Sequence, residues 1–154
     1  MRLALSILAV TGVALFAGCG GADADVKAKA RPRFAFVTNC VADFWTIGRS
    51  GVEKAGADLG ADVSVFTPNG TVDEQKRILE DLVAKGVDGI AVSPKDPANM
   101  TALLDRIAAR TLLITHDSDA PQSQRLAYIG TSNYDAGRLC GKLLAETMPA
   151  GAVI

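Results

Sequence analysis

The stretch DEQKRILEDLVAKGVDGIAVS, Asp73 to Ser93, decides the fold, because it holds a helix and a strand in direct succession. Its first part places apolar residues on one helical face and charged residues on the other; the apolar ones are Ile78, Leu79, Leu82 and Val83. Gly86 is a typical helix stop. The run at 88–93 is too short for a helix and is flanked by turn residues, so it predicts a buried strand.

The same alternation runs along the rest of the chain. Further short apolar runs stand at 33–38, 62–67, 111–115 and 126–130, and helical spacing covers 44–59, 72–85 and 97–109. Strands that alternate with helices build βαβ units, which need parallel strands and right-handed crossovers. The sequence therefore predicts an α/β fold with a parallel, doubly wound sheet.

Charge and motif content exclude several classes of function. The chain has 16 Lys and Arg against 17 Asp and Glu, a net charge of −1, with no basic cluster. Nucleic-acid binding needs clustered cations that displace counterions from phosphates, so no nucleic-acid partner is expected. The glycine-rich motifs of nucleotide sites are absent, and a single histidine leaves no Cys/His cluster for zinc. We therefore expect no cofactor and no metal.

The amino terminus has the pattern of an export signal. A short basic start and an apolar stretch end in LFAGCGG, in which small residues precede Cys19. This resembles the cleavage site of bacterial lipoproteins and implies a signal peptide over 1–18 and lipidation of Cys19; an ordinary secretory leader is the alternative. Residues 19–32 are small and polar and read as a flexible linker. The prediction is an envelope protein, periplasmic or extracytoplasmic, that a lipid anchor attaches to the membrane.

Two further cysteines, Cys40 and Cys140, fall in segments that we place far apart. A disulfide between them is possible in an exported protein. We favour two unpaired thiols that act as small apolar residues.

The carboxyl ends of parallel strands meet at one edge of a sheet, where ligands bind. Phe44 and Trp45 follow the first strand, and a flat ring there can stack on the apolar face of a sugar; the alternative is that the rings only cover the end of the core. Asp117 follows the fourth strand, where a carboxylate can accept hydrogen bonds from hydroxyl groups; the alternative is a turn cap.

Other polar residues fall on the same edge, and each taken singly is explained by capping or by solvation of a loop. They are Asn39, Asn69, Ser93, Lys95, Asp96 and Asp119. The run His116 to Ser118 contains the three residue types of a catalytic triad, but neighbours on an extended segment point to opposite sides. No catalytic residue is predicted, and the protein is not expected to be an enzyme.

Two blocks of sequence carry a family resemblance. QKRILEDLVAKGVDGIAVSPKDP and LLITHDSDAPQSQRLAYIGTSNYDAGRLCGKLLAE resemble the ribose-type, sugar-binding proteins of ABC importers, which have the type I periplasmic binding fold. The resemblance runs from about Arg33 to the last residue. It implies that Phe44 and Trp45 are the family's paired stacking aromatics and that Asp117 is its hydroxyl-binding aspartate.

The sequence departs from the family at two positions of the implied site. Ser118 stands where ribose binders often have an arginine, and Ala42 stands where they have an asparagine that Asn39 or Asp43 could replace. The predicted ligand-binding residues are Asn39, Asp43, Phe44, Trp45, Asp117 and Ser118.

The resemblance also implies partners and domains. Residues 33–131 would form the amino-terminal lobe and 132–154 the start of an incomplete second lobe, with a small sugar as ligand and an ABC permease as partner. As half of a clamp, the chain alone is expected to bind weakly. One rival is a sensor lipoprotein that presents a sugar to a membrane kinase or receptor; an exported hydrolase is another. A transcriptional regulator of the same fold would need a DNA-binding helix-turn-helix in place of the leader.

Overall fold

The structure of the protein is a computed structural model that describes residues 30–148. Strands and helices alternate along it, as the sequence predicts, except that the last two strands follow one another with no helix between them. The elements are β1 (Arg33–Val37), α1 (Asp43–Leu59), β2 (Asp62–Phe66), α2 (Val72–Ala84), β3 (Gly89–Val92), α3 (Pro97–Ala108), β4 (Leu112–His116), β5 (Ala127–Ile129) and α4 (Asn133–Thr147). The predictions for the signal peptide, Cys19 and the last residues, GAVI, lie outside the described residues.

The five strands form one parallel sheet in the order β2-β1-β3-β4-β5. The predicted fold class, a parallel doubly wound α/β sheet, is confirmed. The chain moves outward from β1 to β2 and then returns to the other side of β1 to form β3. The order therefore reverses between β1 and β3, which is where sheets of this type leave a crevice for a ligand.

The core lies on the face of the sheet that α2 and α3 cover. Alternate strand residues point into it, because successive side chains of a strand face opposite sides. Leu79 of α2 and Met100 and Leu104 of α3 have no exposed surface, and Val37 and Val92 of the strands are equally buried.

Local sequence fixes where the helices begin and end. The Thr71 side chain accepts a hydrogen bond from the backbone N–H of Glu74, and Asp96 accepts one from Asn99, so each residue caps a helix. Gly86 has a φ of 66°, which glycine adopts without the penalty of a Cβ. The predicted stop after α2 is therefore confirmed.

The opposite face of the sheet is covered by α1 only in part. Beside α1 lies an apolar groove of about 390 Å³, whose lining includes Phe34, Phe36, Leu112, Ile114 and Leu126. None of the residues of α4 is buried. Across residues 30–148, no helix is both long enough and apolar enough to span a bilayer.

Candidate functional site

Asp117 is the first residue after β4, and its backbone is held in an uncommon conformation. Its φ is 57°, the only positive φ at a non-glycine residue in the part of the chain that the structure describes. The Asp117 N–H donates to the carbonyl of Ile129 at 3.1 Å, and the Asp117 carbonyl accepts from the Tyr128 hydroxyl at 2.8 Å. Left-handed backbone that neighbouring strands hold in place is typical of functional sites.

Two neighbours orient the Asp117 carboxylate. Its Oδ2 atom accepts a hydrogen bond from Asn39 Nδ2 at 3.1 Å and another from Ser93 Oγ at 3.0 Å. Asn39 follows β1 and Ser93 follows β3, so the carboxylate is held at the point where the strand order reverses. Within residues 30–148, both hydrogen bonds to the carboxylate go to Oδ2, so Oδ1 accepts none, and Asp117 is an exposed residue.

Trp45 is joined to the same network. Its indole Nε1 donates to Asn39 Oδ1 at 3.2 Å. Only 5% of the residue is exposed, since its ring packs against Phe36 at 5.9 Å and against His116 at 5.4 Å between ring centroids. The parallel sheet therefore brings Asp117 to Asn39 and Trp45, although Asp117 lies 78 residues after Asn39.

Phe44 and Trp45 have different environments. The ring of Phe44 stands edge-on to Trp45 at 4.9 Å, but 63% of Phe44 is exposed. Asp43, at the start of α1, is exposed as well. Of the two adjacent aromatics, Trp45 is therefore buried and Phe44 keeps most of its surface exposed.

Ser118 is half-buried, and its backbone N–H donates to Ser93 Oγ at 3.4 Å. The Ser93 hydroxyl thus lies between the backbone of Ser118 and the carboxylate of Asp117. Ser118 contributes to the site through its main chain.

Two aspartates on the rim have structural roles. Hydrogen bonds from Asn99 lower the pKa of Asp96, which caps α3. Asp119 accepts from Arg125, at 2.7 Å to Oδ2, and from Thr115 Oγ1 at 2.7 Å. The hydrogen bonds from Arg125 and Thr115 lower the pKa of Asp119 to about 2, and they pin the loop between β4 and β5.

His116 is the last residue of β4, and its surroundings do not suit catalysis. Its ring stacks on Phe36 at 4.1 Å, and burial lowers its pKa to about 4, so it is neutral at pH 7. No hydrogen bond among residues 30–148 joins its side chain to Asp117 or Ser118, and Nε2 is buried without a partner. The three residues do not form a triad. Residues 30–148 contain no group of three or more His, Cys, Asp or Glu side chains that could hold a metal ion.

In the part of the chain that the structure describes, Cys40 and Cys140 are unpaired; Cys40 is half-buried and Cys140 is exposed. The favoured interpretation of two free thiols is confirmed for this structure, but the exposed position of Cys140 does not fit an apolar packing role.

Gln75, a fully buried polar residue of α2, was not among the residues predicted from the sequence. Its amide donates to the carbonyls of Thr38 and Ser93, both at 2.8 Å. A signal was present, because Gln75 precedes Leu79 by four residues and therefore lies on the apolar face of the helix. A polar residue on such a face must find partners inside the protein.

Comparison with known proteins shows which family the chain belongs to. The profile of the family described as periplasmic binding protein domain matches residues 34–154. The chain belongs to this family. The matched residues include all five strands of the sheet and the whole hydrogen-bonded network around Asp117.

Two relatives of this chain are named as sugar-binding proteins. The chain is 24% identical to the ribose import binding protein of Bacillus subtilis over 72% of its own length and 37% of the relative. It is also 24% identical to the D-ribose/D-allose-binding protein of Pseudomonas aeruginosa, over 97% of its own length and 50% of the relative. The chain thus spans half or less of the length of these relatives.

Solved structures share the fold at higher identity. A glucose-galactose binding protein from Geobacillus stearothermophilus superposes with a TM-score of 0.74 and 34% identity, over 81% of this chain and 46% of that one. A solute-binding protein from Burkholderia graminis, crystallised with D-arabinose, superposes with a TM-score of 0.73 and 28% identity. The match covers 77% of this chain and 42% of that one.

Proposed function

We propose that this chain is the amino-terminal lobe of a sugar-binding protein that serves an ABC importer. The observation that carries the proposal is the network that runs from Trp45 through Asn39 and Asp117 to Ser93. It lies at the switch point of the sheet, and it holds one oxygen of the exposed Asp117 carboxylate with two donors, while the other oxygen accepts no hydrogen bond from residues 30–148. The names of the relatives support a sugar as the class of ligand.

The arrangement suits the two kinds of surface that a sugar presents. Hydroxyl groups of the sugar donate to the Asp117 carboxylate, and charge-assisted hydrogen bonds of this kind are stronger than neutral ones. The exposed ring of Phe44 stacks on the apolar C–H face. Trp45 acts through Asn39, whose amide it holds in place, while Asp43 and Ser118 complete the rim. No step of this binding makes or breaks a covalent bond.

The domain arrangement follows from the same proposal. Residues 33–131 form the first lobe, and residues 132–154, which include α4, begin a second lobe that closes over the sugar in the complete clamp. The lack of any buried residue in α4 supports this division, because a helix of the first lobe would bury an apolar face against the sheet. The closed form would dock on an ABC permease.

Binding of a sugar can be tested with the only tryptophan of the chain. In the full chain labelled with ¹⁵N, the indole N–H of Trp45 gives a single resonance that reports on its bond to Asn39. We expect D-ribose, D-arabinose, D-glucose or D-galactose to shift this resonance in a saturable way. Affinity should be weaker than micromolar, since one lobe supplies only part of the contacts. L-Leucine is the control ligand; no shift with any of the four sugars would contradict the proposed function.

We further propose that cleavage before Cys19 and lipidation of its thiol anchor the protein in the cell envelope. Cells that express the chain and are fed a radiolabelled fatty acid should yield a labelled protein, and Cys19→Ser should lose the label. Cys140→Ser is the matched control, because Cys140 is exposed and free in the structure yet lies far outside the leader. Label retained by Cys19→Ser and lost by Cys140→Ser would refute the anchor.

A further inference from the structure

Gln75 is buried completely on the second turn of α2, on the core side of the sheet. Its side-chain Nε2 donates to the carbonyl oxygens of Thr38 and Ser93, each at 2.8 Å. Its Oε1 accepts from the backbone N–H of Lys95 at 2.9 Å. Both N–H groups of the amide and its oxygen therefore have partners.

These partners lie just past the ends of two neighbouring strands. The last ladder pair of β1 and β3 is Val37 with Val92, and Thr38 and Ser93 are the next residue on each strand. The backbone N–H groups of these two residues still donate to neighbouring strands, Ser93 to Val37 and Thr38 to Phe66, both at 2.9 Å. Their carbonyl oxygens accept from the amide of Gln75, which ties the first carbonyl beyond each strand to one group on α2.

The two residues whose carbonyls Gln75 binds, Thr38 and Ser93, lie next to or at the donors to the Asp117 carboxylate. Thr38 directly precedes Asn39, whose Nδ2 donates to Asp117 Oδ2, and Ser93 donates to the same oxygen through its own hydroxyl. Gln75 itself does not contact Asp117. It acts indirectly, because it binds the main chain of Thr38 and Ser93, next to or at the two residues that donate to the carboxylate.

We propose that Gln75 is a positioning residue that sets the direction of the Asp117 carboxylate by clamping the strand ends of Thr38 and Ser93. The proposal rests on the proposed function above, in which that carboxylate receives the sugar. It predicts that affinity for sugar depends on a side chain that lies beneath the site and never touches the ligand.

Only an amide of this length supplies the required groups. Two buried carbonyl oxygens need donors, and one buried N–H needs an acceptor. A glutamate keeps the acceptor for Lys95 but, when ionised, turns an oxygen toward the two carbonyls. A methionine keeps the shape and removes all three hydrogen bonds, so the carbonyls and the N–H are left buried and unpaired.

The test compares Gln75→Met with Leu79→Val, a control on the next turn of the same buried face. In the full chain without ligand, Gln75→Met should raise the exchange rate of the Lys95 amide about tenfold and move the Trp45 indole resonance, since one hydrogen bond is worth about that factor. In the sugar titration its affinity should fall about tenfold. Leu79→Val should change none of these three quantities, even if it lowers the midpoint of thermal unfolding as much as Gln75→Met does.

The outcomes separate the two proposals. The role of Gln75 would be overturned if the Lys95 amide exchange rate and the Trp45 indole resonance were the same in Gln75→Met as in Leu79→Val. This holds whether or not sugar binds. A wild-type chain that no sugar perturbs would refute the proposed function and leave the exchange result to decide on Gln75. Should Gln75→Met fail to fold, through-hydrogen-bond couplings from the Gln75 side-chain nitrogen to the carbonyl carbons of Thr38 and Ser93 test the clamp in the wild type, and their absence overturns it.

Discussion

Asp117→Asn is expected to weaken sugar binding by about tenfold to a hundredfold, because a hydrogen bond to a charged group contributes about 1.5–3 kcal/mol. Asparagine tolerates the left-handed backbone at this position, so the loss reports on the carboxylate. Alanine would be a poorer choice, since it would pay for that backbone conformation as well. The measurement is the titration of the Trp45 indole resonance.

The matched control is Asp73→Asn, which neutralises an exposed carboxylate in the first turn of α2. It changes the net charge by the same amount and should leave the affinity for sugar unchanged. Equal weakening by both variants would point to a general effect of charge and would contradict a direct role for Asp117.

The stability of the protein is expected to fall as the pH is lowered from about 6.5 to about 4, because of His116. Burial lowers the pKa of this residue from 6.5 to about 4 in the folded chain, so in this window the unfolded chain binds a proton that the folded chain does not. The shift corresponds to a loss of about 3 kcal/mol of unfolding free energy. Urea denaturation across this range, followed by the fluorescence of Trp45, measures the loss.

His116→Phe is the variant that isolates this effect. Phenylalanine keeps the stacking on Phe36 and removes both the titrating group and the buried, unpartnered Nε2. We expect its stability to vary much less between pH 6.5 and 4. The ion pair of Asp119 with Arg125 weakens only at lower pH, because the pKa of Asp119 is about 2. If the free energy of unfolding of His116→Phe fell with pH as steeply as that of the wild type, other groups would cause the acid sensitivity.

The fold could be predicted because its signals are local and repeated. Each helix shows an apolar face, each strand is a short apolar run, and residues such as Gly86 mark the boundaries chemically. The predicted ends of the helices and strands lie within about one residue of the observed ones, since capping and stop residues act on their own neighbours. The parallel sheet then followed from the alternation.

The candidate site could be predicted as a group of residues at one edge of the sheet, but the contacts of each residue could not. The position of Asp117 and of Asn39 at strand ends was enough to bring them to one edge. Which of two adjacent aromatics is buried depends on packing across the sheet, and only the contacts of Trp45 with Phe36 and His116 show it. The partners of Gln75 and Asp119 are likewise set by other segments, so a pattern along the chain could not reveal them.

The glycine that follows β5 limits how the pocket can be altered. A methyl group on Gly130 would overlap the phenol of Tyr128, whose hydroxyl donates to the carbonyl of Asp117. In the proposed sugar site, variants that seek another ligand would start from Asp43 and Phe44, since both are open to solvent. A library that also randomised position 130 would fill with variants that have lost the Tyr128 brace, and their failure would say nothing about ligand preference.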